Sequence, residues 1–161
     1  LRKLPRGGFT VVNLTREDIE ETFGIRCVLE SYAARLAALN HTEEELKPLE
    51  EKIREFQRCL DAGQTDELSR INTEFHNLFY DLSRSPRLIK MIHDLRDQIY
   101  RFRRIILQVE AMAKVSNNDH RKMLRAIRMR DSDRVERLVK EHILRGRKIV
   151  LREFEHRPGE L

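Results

Sequence analysis

Six histidines are spread along this 161-residue chain, and three of them share a setting the others lack. His76 stands one turn after Asn72, beside Phe75 and Phe79, within the run INTEFHNLFYDL at 71–82. His120 lies one turn before Leu124 and two before Ile127. His142 follows Val135, Leu138 and Val139, with the small Gly146 one turn later. At helical spacing, each of the three falls on the apolar side of its own segment. A lone histidine in such a position is more often a satisfied core residue than a ligand. Three on three different segments alter that balance, because a buried imidazole needs a hydrogen-bond partner and a helical core has few to offer. One divalent cation would satisfy all three, in the way that metal sites in bundles are built from inward-facing side chains. Three imidazoles with one oxygen ligand and open positions suit Zn²⁺, Ni²⁺ or a similar ion. Asn72, four residues before His76, shares its helical face and is placed to offer that oxygen. Core histidines and a metal site both stand as readings of the pattern. Of the rest, His41 falls in a turn and His156 near the C-terminus, so both are expected in solvent. His93 flanks a stripe beside Ile92 with no evident partner.

The elements that must position these residues are helical. Thr15 with Asp18 forms a capping-box pattern opening a first helix, with a stripe of Ile19, Phe23, Val28, Tyr32, Ala33, Leu36 and Ala37. Thr42 with Glu45 opens a second (Leu46, Leu49, Ile53, Phe56, Leu60), in which Pro48 is expected to kink or delay the start. A third starts near Thr65 and ends at Ser83-Arg84-Ser85-Pro86. Pro86 suits the first turn of a fourth helix, running to about Val109. AMAKVSNN then leads into a fifth at about 117–130, and Asp131-Ser132-Asp133 caps a last one to about Phe154. The fold class is therefore all-α: an antiparallel helical bundle of six to seven helices spanning 15–157. Residues 1–14 stand apart. GFTVV at 8–12 reads as a short strand after a Gly-Gly turn, and nothing else in the sequence supplies it with a partner.

Composition narrows the function classes. Hydrophobic residues make up 40% and charged residues 37%, which fits a helix-rich globular protein and excludes a disordered one. No apolar run approaches the roughly 20 residues that span a bilayer, and the start lacks the apolar core of a signal peptide. Cys27 and Cys59 form no spacing motif and read as reduced thiols of a cytoplasmic protein. The net charge of +5 comes with arginine clusters at 100–104, 125–130 and 144–148. These read as solvated helix faces paired with acids rather than as a nucleic-acid surface.

Four stretches together resemble the FCD effector-binding domain of the FadR subfamily of GntR-type transcriptional regulators. ETFGIRCVLESYAARLAALN (21–40) is similar to that domain's opening helix through Phe23, Arg26, Leu29, Glu30, Ala33, Ala34 and Ala37. INTEFHNLFYDLS, NDHRKMLRAIRMRD and VERLVKEHI resemble its later elements, in order, over residues 15–155. RKLPRGGFTVV is similar to the last wing strand of the winged-helix domain that precedes FCD domains. The resemblance implies a metal held by an Asp and three His, carried over here onto His76, His120 and His142. The acidic position falls on Asn72, a departure that leaves the site one unit more positive, and the family's turn before the fourth helix appears as Arg84-Ser85-Pro86. The resemblance also implies that Arg26 pairs an effector carboxylate, with an intrahelical pair to Glu30 as the competing role. Arg101 and Arg104 match arginine-rich positions and join Tyr100 as further pocket candidates.

The expectation is a ligand-sensing, homodimeric domain that binds a small carboxylic acid at a metal, zinc or nickel, and controls operator DNA through a winged-helix domain absent from this chain. The alternative is a metalloenzyme in which the three-histidine metal activates water. Against it, Asp119 and Glu141 adjoin His120 and His142 but are expected on neighbouring helical faces, leaving no placed general base.

Overall fold

A computed structural model describes residues 2–3, 9–10 and 14–156, the first four through their backbone alone. Two short strands, β1 (Arg2–Lys3) and β2 (Phe9–Thr10), pair antiparallel with Arg2 opposite Thr10. The strand expected at 8–12 thus has a partner within the chain, five residues upstream, in a segment too basic to read as a strand. Residues 8, 11 and 12 of that expected strand and the linker residues 11–13 lie outside the described residues.

Seven α-helices follow: α1 (Arg16–Asn40), α2 (Lys47–Asp61), α3 (Thr65–Asp81), α4 (Pro86–Asp94), α5 (Arg96–Leu107), α6 (Glu110–Arg128) and α7 (Ser132–His156). α1 opens with the full capping box, Thr15 and Asp18 each bonding the other's backbone N–H. The Thr42–Glu45 pair forms as well (2.7 Å), but it opens a 3₁₀ turn at Glu44–Leu46. Pro48 delays α2 to Lys47 and then sits in its first turn, where its missing N–H costs nothing.

Two of the expected boundaries differ. The single helix expected from Pro86 to Val109 is broken at Leu95, whose backbone (φ −98°, ψ 2°) leaves the helical region. Its N–H turns to Ile92 (3.1 Å) while its carbonyl accepts from Ile99 (3.0 Å), so α5 restarts at once in a new direction. The segment AMAKVSNN, expected as a connection, is the first half of α6. Its Ala113, Ser116 and Asn117 are buried, while Lys114 and Asn118 are exposed.

α1 and α7 are the long axis of the bundle and pack along each other. Ala33, Ala34, Ala37 and Ala38 on α1 are fully buried, and such small side chains let α7 bring Val135, Val139, Ile143 and Val150 close. Phe23 of α1 stacks on Phe102 of α5 (centroids 5.0 Å). The core side of α1 is not the expected one throughout: Val28 and Tyr32 are 67% and 52% exposed, because α1 turns Arg26 and Glu30 inward instead. His41, expected in solvent, is buried, with Nδ1 donating to the Ala37 carbonyl (3.0 Å). Nearby, Arg84 and Arg130 both take left-handed backbone conformations (φ 53° and 55°). Each reaches the otherwise unpaired C-terminal carbonyls of α1, Arg84 at Asn40 (3.0 Å) and Arg130 at Leu39 and His41 (2.8 and 3.0 Å). Two cations thereby stand at the negative end of the α1 dipole. Among the described residues no helix is long and apolar enough to cross a membrane.

Candidate metal and effector site

His76 on α3, His120 on α6 and His142 on α7 converge. Their ring centroids are 5.0, 5.6 and 5.4 Å apart, and one nitrogen from each falls within 4.8 Å of the others. His76 and His120 are buried, and His142 is partly open. Phe75 stacks on the His120 ring at 4.1 Å, fixing its plane.

The hydrogen bonds around the cluster set which nitrogen His142 and His76 offer. His142 Nδ1 lies 3.2 Å from Asp119 Oδ2. An ionised carboxylate only accepts, so Nδ1 carries the proton and Nε2 keeps its lone pair. Tyr80 donates its hydroxyl hydrogen to the buried Glu30 and accepts from Arg103 (3.2 Å). Towards His76 Nδ1, 3.4 Å away, that hydroxyl is therefore also an acceptor, and His76 is again left with Nε2 free. His120 Nε2 is buried with no partner among the described residues. Burial, then the Arg103 guanidinium and the neighbouring imidazoles, holds His76 well below the usual 6.5. Burial and the neighbouring His142 and Arg103 do the same to His120. Neutral rings with free lone pairs, one of them orphaned, fit a divalent cation.

Beside the cluster is a second constellation. Arg26 Nε donates to Glu30 (2.7 Å), its guanidinium lies over the Phe23 ring (4.9 Å), and its Nη1 has no partner among the described residues. The intrahelical pair with Glu30 therefore forms and still leaves one end of Arg26 uncommitted. Burial pushes the Glu30 carboxyl up, but Arg26, Arg103 and the Tyr80 hydroxyl more than offset this and hold it low. Arg103 is buried, donates to Thr73 and Tyr80 (3.2 Å each), and is lowered by that burial. A small cavity of about 30 Å³ is lined by Arg26, Asn72, Arg103, Ser116, Asp119 and His142, among others. Asn72 is buried there, its oxygen 3.5 Å from the Ser116 hydroxyl.

The structure does not bring Tyr100, Arg101 or Arg104 to this cavity. All three are exposed, Tyr100 and Arg101 on outer grooves of α5. The inward arginine is Arg103, and periodicity carries the signal: it lies four residues after Ile99 and three before Ile106. Asp119 is likewise turned into the site rather than away from it. The site sits among α3, α6 and α7, so the residue beside His120 faces α7, where it binds His142 and Arg145. Tyr80, one turn after His76 and absent from the sequence candidates, also meets the cluster.

Comparison with known proteins now adds to this geometry. Residues 21–145 match the profile of the FCD domain. The chain is 29% identical over 140 residues to YdhC, an uncharacterized HTH-type transcriptional regulator of Bacillus subtilis, covering 86% of this chain and 61% of that protein. It is 31% identical over 91 residues to the HTH-type transcriptional regulator McbR of Escherichia coli, covering 56% and 41%. The chain thus spans about three-fifths or less of these relatives. In fold it is similar to E. coli McbR/YncC (TM-score 0.81, 22% identity, 93% of this chain and 75% of that one). It is also similar to a metal-free FCD domain from TM0439 (TM-score 0.73, 18% identity, 91% and 100%).

Proposed function

The chain belongs to the FCD domain family, and on that premise we propose that it is the effector-sensing domain of a transcriptional regulator. In this reading His76, His120 and His142 hold a divalent transition metal, zinc or nickel, through their free Nε2 atoms, with Asn72 contributing a neutral oxygen. Bound there, the metal supplies a doubly positive centre that fixes a carboxylate. Arg26 and Arg103 hold the same small organic acid from the other side of the cavity.

Charge supports this choice of ligand. Arg26, Arg103 and Arg145 outnumber Glu30 and Asp119 around the cavity, and Asn72 adds no negative charge. An anion is the complement such a site lacks. The observation that carries the reading is the pair of buried, unpartnered nitrogens, His120 Nε2 and Arg26 Nη1, the first offering a lone pair and the second an N–H, since each loses stability unless a ligand completes it.

Size supplies the coupling. About 30 Å³ holds one or two waters, so an organic acid larger than that favours a wider arrangement of the helices around the cavity. An acid that binds the wider arrangement better shifts the protein towards it. That change would pass through α1 to winged-helix domains bound as a homodimer on operator DNA in the cytoplasm. One structural relative is described as metal-free, consistent with a fold that stands without its ion. The metalloenzyme alternative has less support. Asp119, the carboxylate nearest the cluster, is engaged by His142 and Arg145 and is not free to take a proton from water.

The test is a thermal-shift screen against small mono-, di- and tricarboxylates and sugar acids, with and without metal, repeated on His142→Ala. The reading expects stabilisation that needs both. Stabilisation that survives the loss of metal and of His142 places the effector elsewhere.

A further inference from the structure

Where α4 gives way to α5 at Leu95, a groove of about 280 Å³ opens against α3, and it shares Arg103 with the inner cavity. Tyr80 and Arg103 form its buried polar surface. Ile92 and Ile99, also buried, form an apolar wall that the half-exposed Tyr100 ring extends. None of the three clustered histidines lines it. Tyr100 thus belongs to a pocket after all, but to this one.

Arg103 makes this groove a site. It is 6% exposed, and its two hydrogen bonds go to hydroxyls, Thr73 Oγ1 and Tyr80 Oη. No carboxylate forms an ion pair with it among the described residues: Glu30 pairs directly with Arg26 and is joined to Arg103 through the Tyr80 hydroxyl. A buried cation is costly unless an anion matches it. Both hydroxyls are spent as donors, Thr73 to the Ser69 carbonyl (2.8 Å) and Tyr80 to Glu30. A guanidinium has more N–H groups than two bonds use, so Arg103 keeps donors for a ligand. At the rim it is joined by Arg96 and the Asn77 amide, both exposed. The rim carboxylate, Asp97, stands beside Arg96 (3.6 Å) with its side chain 96% exposed, so it does not answer the charge of Arg103. A planar fork selects a carboxylate. The volume falls just under the roughly 300 Å³ at which ligand pockets begin, and the Ile92, Ile99 and Tyr100 wall suits a compact apolar body.

We infer that this groove is a second ligand site, separate from the histidine cluster, which takes a small aromatic carboxylate. The acid's carboxylate meets Arg103, with Arg96 at the rim, and its ring lies against Ile92, Ile99 and Tyr100. This goes beyond the effector reading and needs no metal.

The test is benzoate titrated into the metal-stripped chain, followed by calorimetry and heteronuclear NMR, on wild type and on His142→Ala. One benzoate per chain is expected in both, with a Kd below about 1 mM and the largest shifts at the Asn77 side-chain amide and the Tyr100 backbone amide. Benzyl alcohol keeps the ring and lacks the charge, and is expected to bind at least about 10-fold more weakly. Arg103→Lys keeps the charge and loses the fork, and is expected to weaken benzoate by about 10-fold. Because that residue is buried, Arg96→Glu and Tyr100→Ala repeat the test at exposed positions. Each is expected to weaken benzoate by about 3-fold or more with unchanged helical circular dichroism. No binding at about 10 mM benzoate, well above that Kd, overturns the inference. So does benzyl alcohol binding equally well, or an affinity that neither Arg96→Glu nor Tyr100→Ala moves. Binding lost in His142→Ala, with shifts confined to α6 and α7, assigns benzoate to the inner cavity, which overturns this inference and leaves the effector reading standing.

Discussion

Asp119 Oδ2 accepts the Nδ1 proton of His142 at 3.2 Å, so this carboxylate orients a ring of the cluster instead of meeting the cavity alone. Such a partner fixes the tautomer and raises the basicity of the other nitrogen. Asp119→Asn is expected to lower metal affinity by about 10–100-fold, read by competition with a coloured chelator. Unchanged affinity means that His142 needs no such support.

The pH dependence of the metal-stripped protein follows from His76 and His120. Both are held well below 6.5 by burial and by Arg103 or His142, so the folded state leaves them neutral while the unfolded chain takes up protons below about pH 6.5. Stability is therefore full above that pH and falls as pH drops below it, by up to about 1.4 kcal/mol per pH unit for each ring. Urea denaturation from pH 8 to 5 checks this, and a flat profile down to pH 5 contradicts it.

Glu30 titrates against what burial alone would do to an acid. It is fully buried between Arg26, Tyr80 and Arg103, and its carboxyl is held low despite burial. Its stabilising effect is present above the unfolded carboxylate value of about 4.3 and is lost as pH falls through the lower folded value. Glu30→Gln strands two buried guanidiniums and is expected to cost about 3–5 kcal/mol in denaturant melts. The double variant with Arg26→Met is expected to cost less than the two singles summed.

Much of this was legible in the sequence. The capping box at Thr15, the stop at Pro86 and the apolar periods gave the helices, and the same periods put His76, His120 and His142 on inward faces. What failed was finer than a helix face. Val28 and Tyr32 fit the period of α1, but a helix apolar on two sides has no single moment to mark which side is core. Arg103 hid between its neighbours Arg101 and Arg104, because arginine reads as surface until a buried carboxylate network is known. Asp119 faces a third helix, and no pattern within α6 reveals where α7 lies. The break at Leu95 has no proline or glycine to announce it.

Gly146 marks where α7 meets α5 beneath the cavity. A Cβ there would stand 2.8 Å from Ile106 Cδ1 and 3.6 Å from the Phe23 ring. Gly146→Ala is expected to destabilise by about 1–3 kcal/mol through overpacking, less the helix propensity it gains. Ile106→Val, which removes the clashing methyl, is expected to be destabilising in the wild type and stabilising in Gly146→Ala. The same sign for Ile106→Val in both backgrounds contradicts the close approach.

The central claim is that the three converging histidines hold a divalent cation, and metal titration of stripped protein, prepared without a nickel column, tests it most directly. Zinc and nickel are each added by calorimetry while melting is followed with and without chelator. The account predicts one equivalent bound per chain, a higher melting temperature that the chelator reverses, and loss of both on His120→Ala. Binding far below one equivalent, with melting that neither metal nor chelator moves, contradicts it.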